Sequence, residues 1–428
     1  MVVERWFTQG HARVLTQAKN RLETPMKKTS AVFLVAALGL AVTAVAQSGK
    51  TTLVWWDYYT DFDAYEKALT TQFAAYTAEN PNVEFKRTPV PFGDLKNKII
   101  QATATNTMPD LIVIDNPDHQ AFASQGSFAD ITDRVKATNW STLYFKGPLS
   151  STVFKGKNYG VPFVSNATAL YYNEALLKSA GYAKPPATWT QLRAAAKKLT
   201  TADRYGFCFS AVGTEEGTFT FLPFLWSTGA DIQTIGDAGS VRAVNFLADL
   251  INKDKSVSKA VINWGQGDVY QQFIAQKCAM MINGPWQIPN FKNDKVAFQW
   301  AVAPWPRDRV GVSILGGENL ALGAGKNVDA SFKFLNWFAT PARLKPVQLA
   351  MGMLPNRSDM ASDPTWTNDP IQKTFLQQVS VAKPRAYGAK YPQISEQVWR
   401  MFQSAIIGNK TGRDAATTAG AAIKPLLP

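Results

Sequence analysis

The strongest constraint on this chain is a strand–helix alternation between residues 52 and 114. Thr52-Leu53-Val54-Trp55-Trp56 reads as a strand. Tyr65, Ala68, Leu69, Phe73 and Tyr76 then recur at helical spacing, and Asn80-Pro81 stops the run. Asp63 and Glu66 have the spacing of a capping box at its start. Val83-Glu84-Phe85-Lys86 alternates like a strand, and Leu95, Ile99 and Ala102 line a second helix. Leu111-Ile112-Val113-Ile114 is apolar throughout, as suits a strand covered on both faces. A βαβαβ order implies a parallel sheet flanked by helices.

The pattern restarts downstream. Ala169-Leu170-Tyr171-Tyr172 is a strand, and Thr188 with Gln191 makes a second capping box, opening a helix that runs to about Leu199. Phe207-Cys208-Phe209, Cys278 to Ile282 and Trp300 to Ala303 read as further strands. Helices are expected near 241–252, 330–338 and 395–407. The two stretches share a pattern but no sequence repeat. Pro162, Pro304 and Pro306 punctuate two places where the chain can cross between lobes.

Residues 26–46 read as a secretory leader. Met26-Lys27-Lys28 precedes an apolar run from Ala31 to Val45, and Ala44-Val45-Ala46 is an A-x-A cleavage site. The run is shorter than the roughly 20 residues that span a bilayer. The 25 residues before Met26 have no place in such a leader, so translation is expected to start at Met26. Neither cysteine follows the leader, so no lipid anchor is expected at the cleavage point; the protein should be exported, soluble and periplasmic.

Cleavage after Ala46 leaves a chain longer than one hydrophobic core serves, so two lobes are expected. The net charge is +13; six Lys/Arg against two Asp/Glu in the first 46 residues leave +9 for the remainder. The basic residues are scattered, with no run of five, which argues against a nucleic-acid partner. Cys208 and Cys278 are the only cysteines; a single disulfide and two buried thiols are both open.

Catalytic equipment is sparse. His119, just after a strand, reads as a surface loop residue, and HExxH, CxxC and GxSxG are absent. Gly49-Lys50-Thr51 lacks the upstream glycine and strand of a phosphate-binding loop. A glycosidase needs only two carboxylates, for which Asp57, Asp115, Glu215, Glu216 and Glu318 are candidates, but no spacing sets any two face to face. No cofactor and no metal are expected.

Ligands of parallel α/β sheets sit beyond the carboxyl ends of strands. Those positions hold Trp56, Asp57, Tyr58 and Tyr59; Asp115, Asn116 and Asp118; Asn166 and Thr168; Glu215 and Glu216; Asn283 to Trp286; and Gly316 to Asn319. Aromatic faces stack on the CH faces of pyranose rings while carboxylates and amides take the hydroxyls, so a carbohydrate needs both types together.

These residues resemble the extracellular solute-binding proteins of sugar ABC importers, a group that includes maltose-binding protein. The resemblance covers residues 50–410. It rests on Asn80-Pro81-Asn82-Val83-Glu84-Phe85, Met108-Pro109-Asp110-Leu111-Ile112, Tyr171-Tyr172-Asn173-Glu174-Ala175-Leu176-Leu177 with Pro185-Pro186-Ala187-Thr188-Trp189, Met281-Ile282-Asn283-Gly284-Pro285-Trp286, and Leu354-Pro355-Asn356, in that order. It implies an α/β fold of two Rossmann-like lobes joined by a hinge, the type II periplasmic-binding-protein architecture. One lobe is expected over 47–163 and 306–345, the other over 164–305 and 346–428. It also implies a monomeric, non-enzymatic receptor that hands a mono- or oligosaccharide to membrane permease subunits. Trp286 is then the main stacking residue. Asn166, Asp115, Asn116 and Asp118 are then polar contacts, Glu216 is another with Glu215 as the competing assignment, and Gly316 and Gly317, beside Glu318, allow close backbone approach; Trp56 and Asp57 are candidates from their strand-end position. Arg385 and Tyr387 belong to a late loop that reaches the cleft. A receptor of the same fold for glycerol phosphate or another small solute, and an exported glycosidase, are the alternatives.

Overall fold

The computed structural model describes residues 49–428 apart from Asp61. The expected leader over 26–46 and the residues before it lie outside the described residues. Strands β1 (Thr51–Asp57), β2 (Val83–Pro89) and β3 (Leu111–Asp115) alternate with helices α1 (Asp63–Glu79) and α2 (Phe92–Ala104). β1 runs parallel to both β2 and β3. Two later strands, β4 (Gly160–Asn166) and β8 (Gly316–Leu322), complete the sheet in the order β2-β1-β3-β8-β4, and β8 is antiparallel to both its neighbours. The parallel sheet implied by the sequence is thus extended by an antiparallel pair.

Side-chain alternation splits β1 between two cores. Leu53 and Trp55 join a cluster with Phe73 and Phe334, whereas Trp56 joins one with Ile99 and Ile114 on the other face. β3 is buried along its whole length, which is why it reads as an unbroken apolar run. Pro162 sits inside edge strand β4, where a missing N–H costs no ladder bond.

The chain then leaves this sheet. After Asn166 it enters β5 (Ala169–Asn173), which pairs antiparallel with β6 (Met280–Asn283) and β7 (Trp300–Ala303). Around this three-stranded sheet lie α4 (Trp189–Leu199), α5 (Glu215–Ser227), α6 (Ala238–Asn252), α7 (Gln266–Ile274) and α8 (Gln287–Asn293). After β8, α9 (Val328–Phe338) and α10 (Pro341–Ala350) pack with the first sheet. The expected lobe boundary at 345/346 falls inside α10; Val347, Met351 and Met353 pack in the first-sheet core, and Leu354 packs against the second sheet. The chain closes with α11 (Pro370–Ser380), α12 (Tyr391–Ile406) and α13 (Gly412–Ile423).

Local expectations fared unevenly. Thr188 caps α4 by accepting the Gln191 amide at 3.2 Å, but Gln191 returns its oxygen to Ala187. Asp63 is not a cap: α1 begins at Asp63 itself, after Phe62. Phe207–Phe209 forms no ladder, only isolated bridges, with Cys208 giving its N–H to the Met280 carbonyl at 2.9 Å. His119 is no surface residue. It lies on α3 (Asn116–Ser124), fully buried against Phe128, and burial pushes its imidazole down to about 3.

Cys208 and Cys278 are joined, with 5.9 Å between their Cα atoms and a sequence separation of 70. Closing a loop of that length removes chain entropy worth about 4 kcal/mol in the unfolded state. Replacing both cysteines by alanine should therefore lower the melting temperature by about 5 °C, read by differential scanning calorimetry. An unchanged melting temperature would show that the crosslink contributes nothing.

Candidate functional site

Strand ends and helix starts from both sheets converge on a cavity of about 390 Å³. The first sheet supplies Tyr58, Tyr59 and Phe62 beyond β1, Asp115 at the end of β3, Asn166 at the end of β4, and Gly317 and Glu318 on β8. Glu215, Glu216 and Phe219 from α5, Gln266 and Tyr270 from α7, Trp286 after β6, and Arg385 supply the opposite wall. The antiparallel register sets Glu318 opposite Asp115 and Gly316 opposite Asn166. Residues that lie 203 (318 − 115) and 150 (316 − 166) positions apart in sequence thereby become neighbours.

Backbone approach depends on glycine at two places. A Cβ on Gly284 would lie 1.9 Å from the Trp286 indole, so the ring can lie back over the chain only there. Gly317, at φ +134°, brings β8 against Val164; a Cβ would meet that carbonyl at 2.3 Å. Trp286 is half-buried and packs against the main cores of both sheets while lining the cavity.

Arg385 is the electrostatic centre. It is buried and donates to both Asp115 oxygens at 2.8 Å, to Glu215 at 2.6 Å and to Asn116 at 3.2 Å. Its guanidinium lies 4.6 Å from the Phe219 ring centre. Glu215 also accepts from Tyr391 at 2.7 Å and from Ser395. The fork geometry of arginine lets one side chain hold two carboxylates from opposite walls. Burial pushes the Asp115 carboxyl up while Arg385 opposes the shift. Asp118 is pushed up to about 6, chiefly by burial, against its ion pair with Lys96 at 2.9 Å.

Glu318 differs. Its Oε1 accepts the Tyr58 hydroxyl at 2.7 Å, and its Oε2 has no partner. Burial, reinforced by Asp115, pushes its carboxyl up to about 8, with Tyr58, Tyr59 and Arg385 pulling the other way.

Eight of the residues expected at the site line the cavity: Asp115, Asn166, Glu215, Glu216, Trp286, Gly317, Glu318 and Arg385. Six do not. Trp56 packs under β1 with Lys98 over its ring at 4.6 Å. Asp57 accepts from Arg87 twice at 2.8 Å, and from Trp55, Tyr65 and the Tyr59 amide, which fixes the loop carrying Tyr58 and Tyr59. Asn116 and Asp118 support Arg385 and Lys96 respectively. Gly316 makes room for Asn166 and Phe219. Tyr387 donates to Asp231 and accepts from Trp226. Phe62, Phe92, Phe219, Tyr270 and Met353 were not anticipated. Only Phe219 carried a sequence signal, four residues after Glu215 and so on the same helix face.

The chain has known relatives. It matches the bacterial extracellular solute-binding protein family over residues 71–374, and it belongs to that family. It is 25% identical to a maltotriose-binding protein of Pyrococcus abyssi over 72% of this chain and 67% of the relative. Among solved structures it is similar to the GacH receptor of Streptomyces glaucescens, solved unliganded and with acarbose. The two are 28% identical, with a TM-score of 0.78 over 88% of this chain and 98% of that one. A solute-binding protein of Thermotoga lettingae, bound with α-D-tagatose, shares the two-lobe fold at 24% identity and a TM-score of 0.82, covering 89% of this chain and 100% of that one. Among the described residues, no helix is long and apolar enough to cross a membrane.

Two outcomes follow from the electrostatics. Arg385→Ala leaves Asp115 and Glu215 buried without their cation and should cost about 3–5 kcal/mol in urea unfolding. A cost below about 1 kcal/mol would show that the network is solvated. For Glu318 the folded value lies above the unfolded one, so the folded chain keeps a proton that the unfolded chain gives up. Stability from this group is full below about 4.5 and is lost as pH rises to about 8. Glu318→Gln should therefore gain on the native protein between about pH 5 and about pH 8, by comparison of urea midpoints. A constant difference across that range would rule out the shift.

Proposed function

We propose that this protein is a carbohydrate receptor of an ABC importer, exported without a lipid anchor and acting as a monomer. Sugar enters between the lobes, and closure follows because the ligand binds the closed form better than the open one. The observation that carries this reading is Trp286, whose indole faces the cavity while packing on both lobe cores. A ring stacked there contributes to ligand contact and to lobe contact together. Asn166, Glu216, Glu318 and Gln266 stand around it as hydrogen-bonding groups for hydroxyls. The sugar-binding names of the relatives agree with this reading. Delivery to permease subunits is the role the family implies.

Three of the five candidate carboxylates are unsuited to a glycosidase. Asp57 is held by Arg87, and Asp115 and Glu215 share Arg385. A carboxylate committed to a buried ion pair is poorly placed to serve as acid or nucleophile.

A thermal-shift screen over mono- and disaccharides identifies the binder, because a ligand of the folded form raises the melting temperature. Titration calorimetry then tests Trp286→Ala, which should weaken binding by about 2 kcal/mol or more, roughly thirtyfold in Kd. Native affinity in that variant would remove Trp286 from the site. Release of reducing ends from oligosaccharides would overturn the receptor reading itself.

A further inference from the structure

The charge of the cavity is unbalanced. Arg385 is committed to Asp115 and Glu215, and Lys96 to Asp118. Glu216 and Glu318 also line the cavity, and among the described residues neither has an ion-pair partner. Glu216 gives one oxygen to the Gln266 amide at 2.6 Å. Glu318 is only 5% exposed, and its Oε2 meets no donor. Tyr58, Phe219 and Trp286 stand on the surrounding walls.

A buried carboxyl group with a free oxygen is a costly thing to leave incomplete. A neutral sugar completes it with a hydroxyl hydrogen bond but brings no charge. A protonated amine brings both, and the aromatic faces around it attract a cation through their quadrupoles. An acidic sugar would meet repulsion from Glu216 and would gain no charge pairing at Glu318.

We propose that the cavity selects sugars bearing a positively charged amine, with Glu318 meeting the ammonium and Glu216 adding a second negative charge. This rests on the sugar-receptor reading above and narrows it. Glu318 faces Tyr58, Tyr59, Asp115 and Arg385, and burial holds its proton at neutral pH. An arriving ammonium keeps its own protons and displaces the Glu318 proton to solvent. Binding of the amine is thus accompanied by proton release, whereas binding of a neutral sugar is not.

The test is titration calorimetry at about pH 6.5, where an amine stays charged, in two buffers of different ionisation enthalpy. The probes are glucosamine, N-acetylglucosamine and glucose, and the matching β-1,4 disaccharides. The amine forms should bind roughly tenfold tighter than both neutral forms, as a charge-assisted hydrogen bond implies, and should release a proton. In Glu318→Gln, shown to be folded by its thermal melt, the affinity ratio should fall to about one and the proton release should vanish. Glu216→Gln should lower the ratio part of the way. Neutral forms binding as tightly as the amines would overturn this inference and leave the receptor reading standing. A preference that survives in Glu318→Gln would overturn the assignment to that residue. Binding of no sugar in either series would overturn both.

Discussion

The cavity depends on one buried guanidinium. Arg385 holds Asp115 from the first sheet and Glu215 from the start of a second-lobe helix in a single planar fork. Without it, two carboxylates would face each other across a dry gap, and the lobes would repel where they need to meet. The arrangement also decides what remains for a ligand. Asp115 and Glu215 are both already satisfied, so recognition falls to groups with capacity left, chiefly Asn166, Glu216 and Glu318.

Supporting residues fix those groups in place. Asp57 lies outside the cavity yet governs it, because its five hydrogen bonds pin the turn that presents Tyr58 and Tyr59. Gly284 does the same for Trp286 by leaving space under the indole. In both cases a position at a strand end acts on a neighbour rather than on a ligand. Strand-end position identifies the right neighbourhood, but hydrogen-bond partners decide which side chain faces inward.

Much of the fold was legible because burial writes a period into the chain. The helical spacing from Tyr65 to Tyr76 and the unbroken Leu111–Ile114 run are direct consequences of which faces are covered. The Asp63 cap misled because a capping pattern identifies a helix start only to within a residue or so, and the helix begins one position earlier than that pattern requires. His119 misled because a polar residue after a strand is usually solvated, whereas here α3 turns it under the sheet edge against Phe128.

The amino-acid order by itself determined the alternation of elements, the α/β class, and the clustering of aromatic and acidic residues at strand ends. Those follow from local periodicity and composition, which each segment carries within itself. The antiparallel entry of β8 between β3 and β4, the partner of Arg385 and the empty valence of Glu318 were decided only by the tertiary structure. Each depends on segments 100 or more residues apart meeting at hydrogen-bond distance, and local sequence carries no record of such distances.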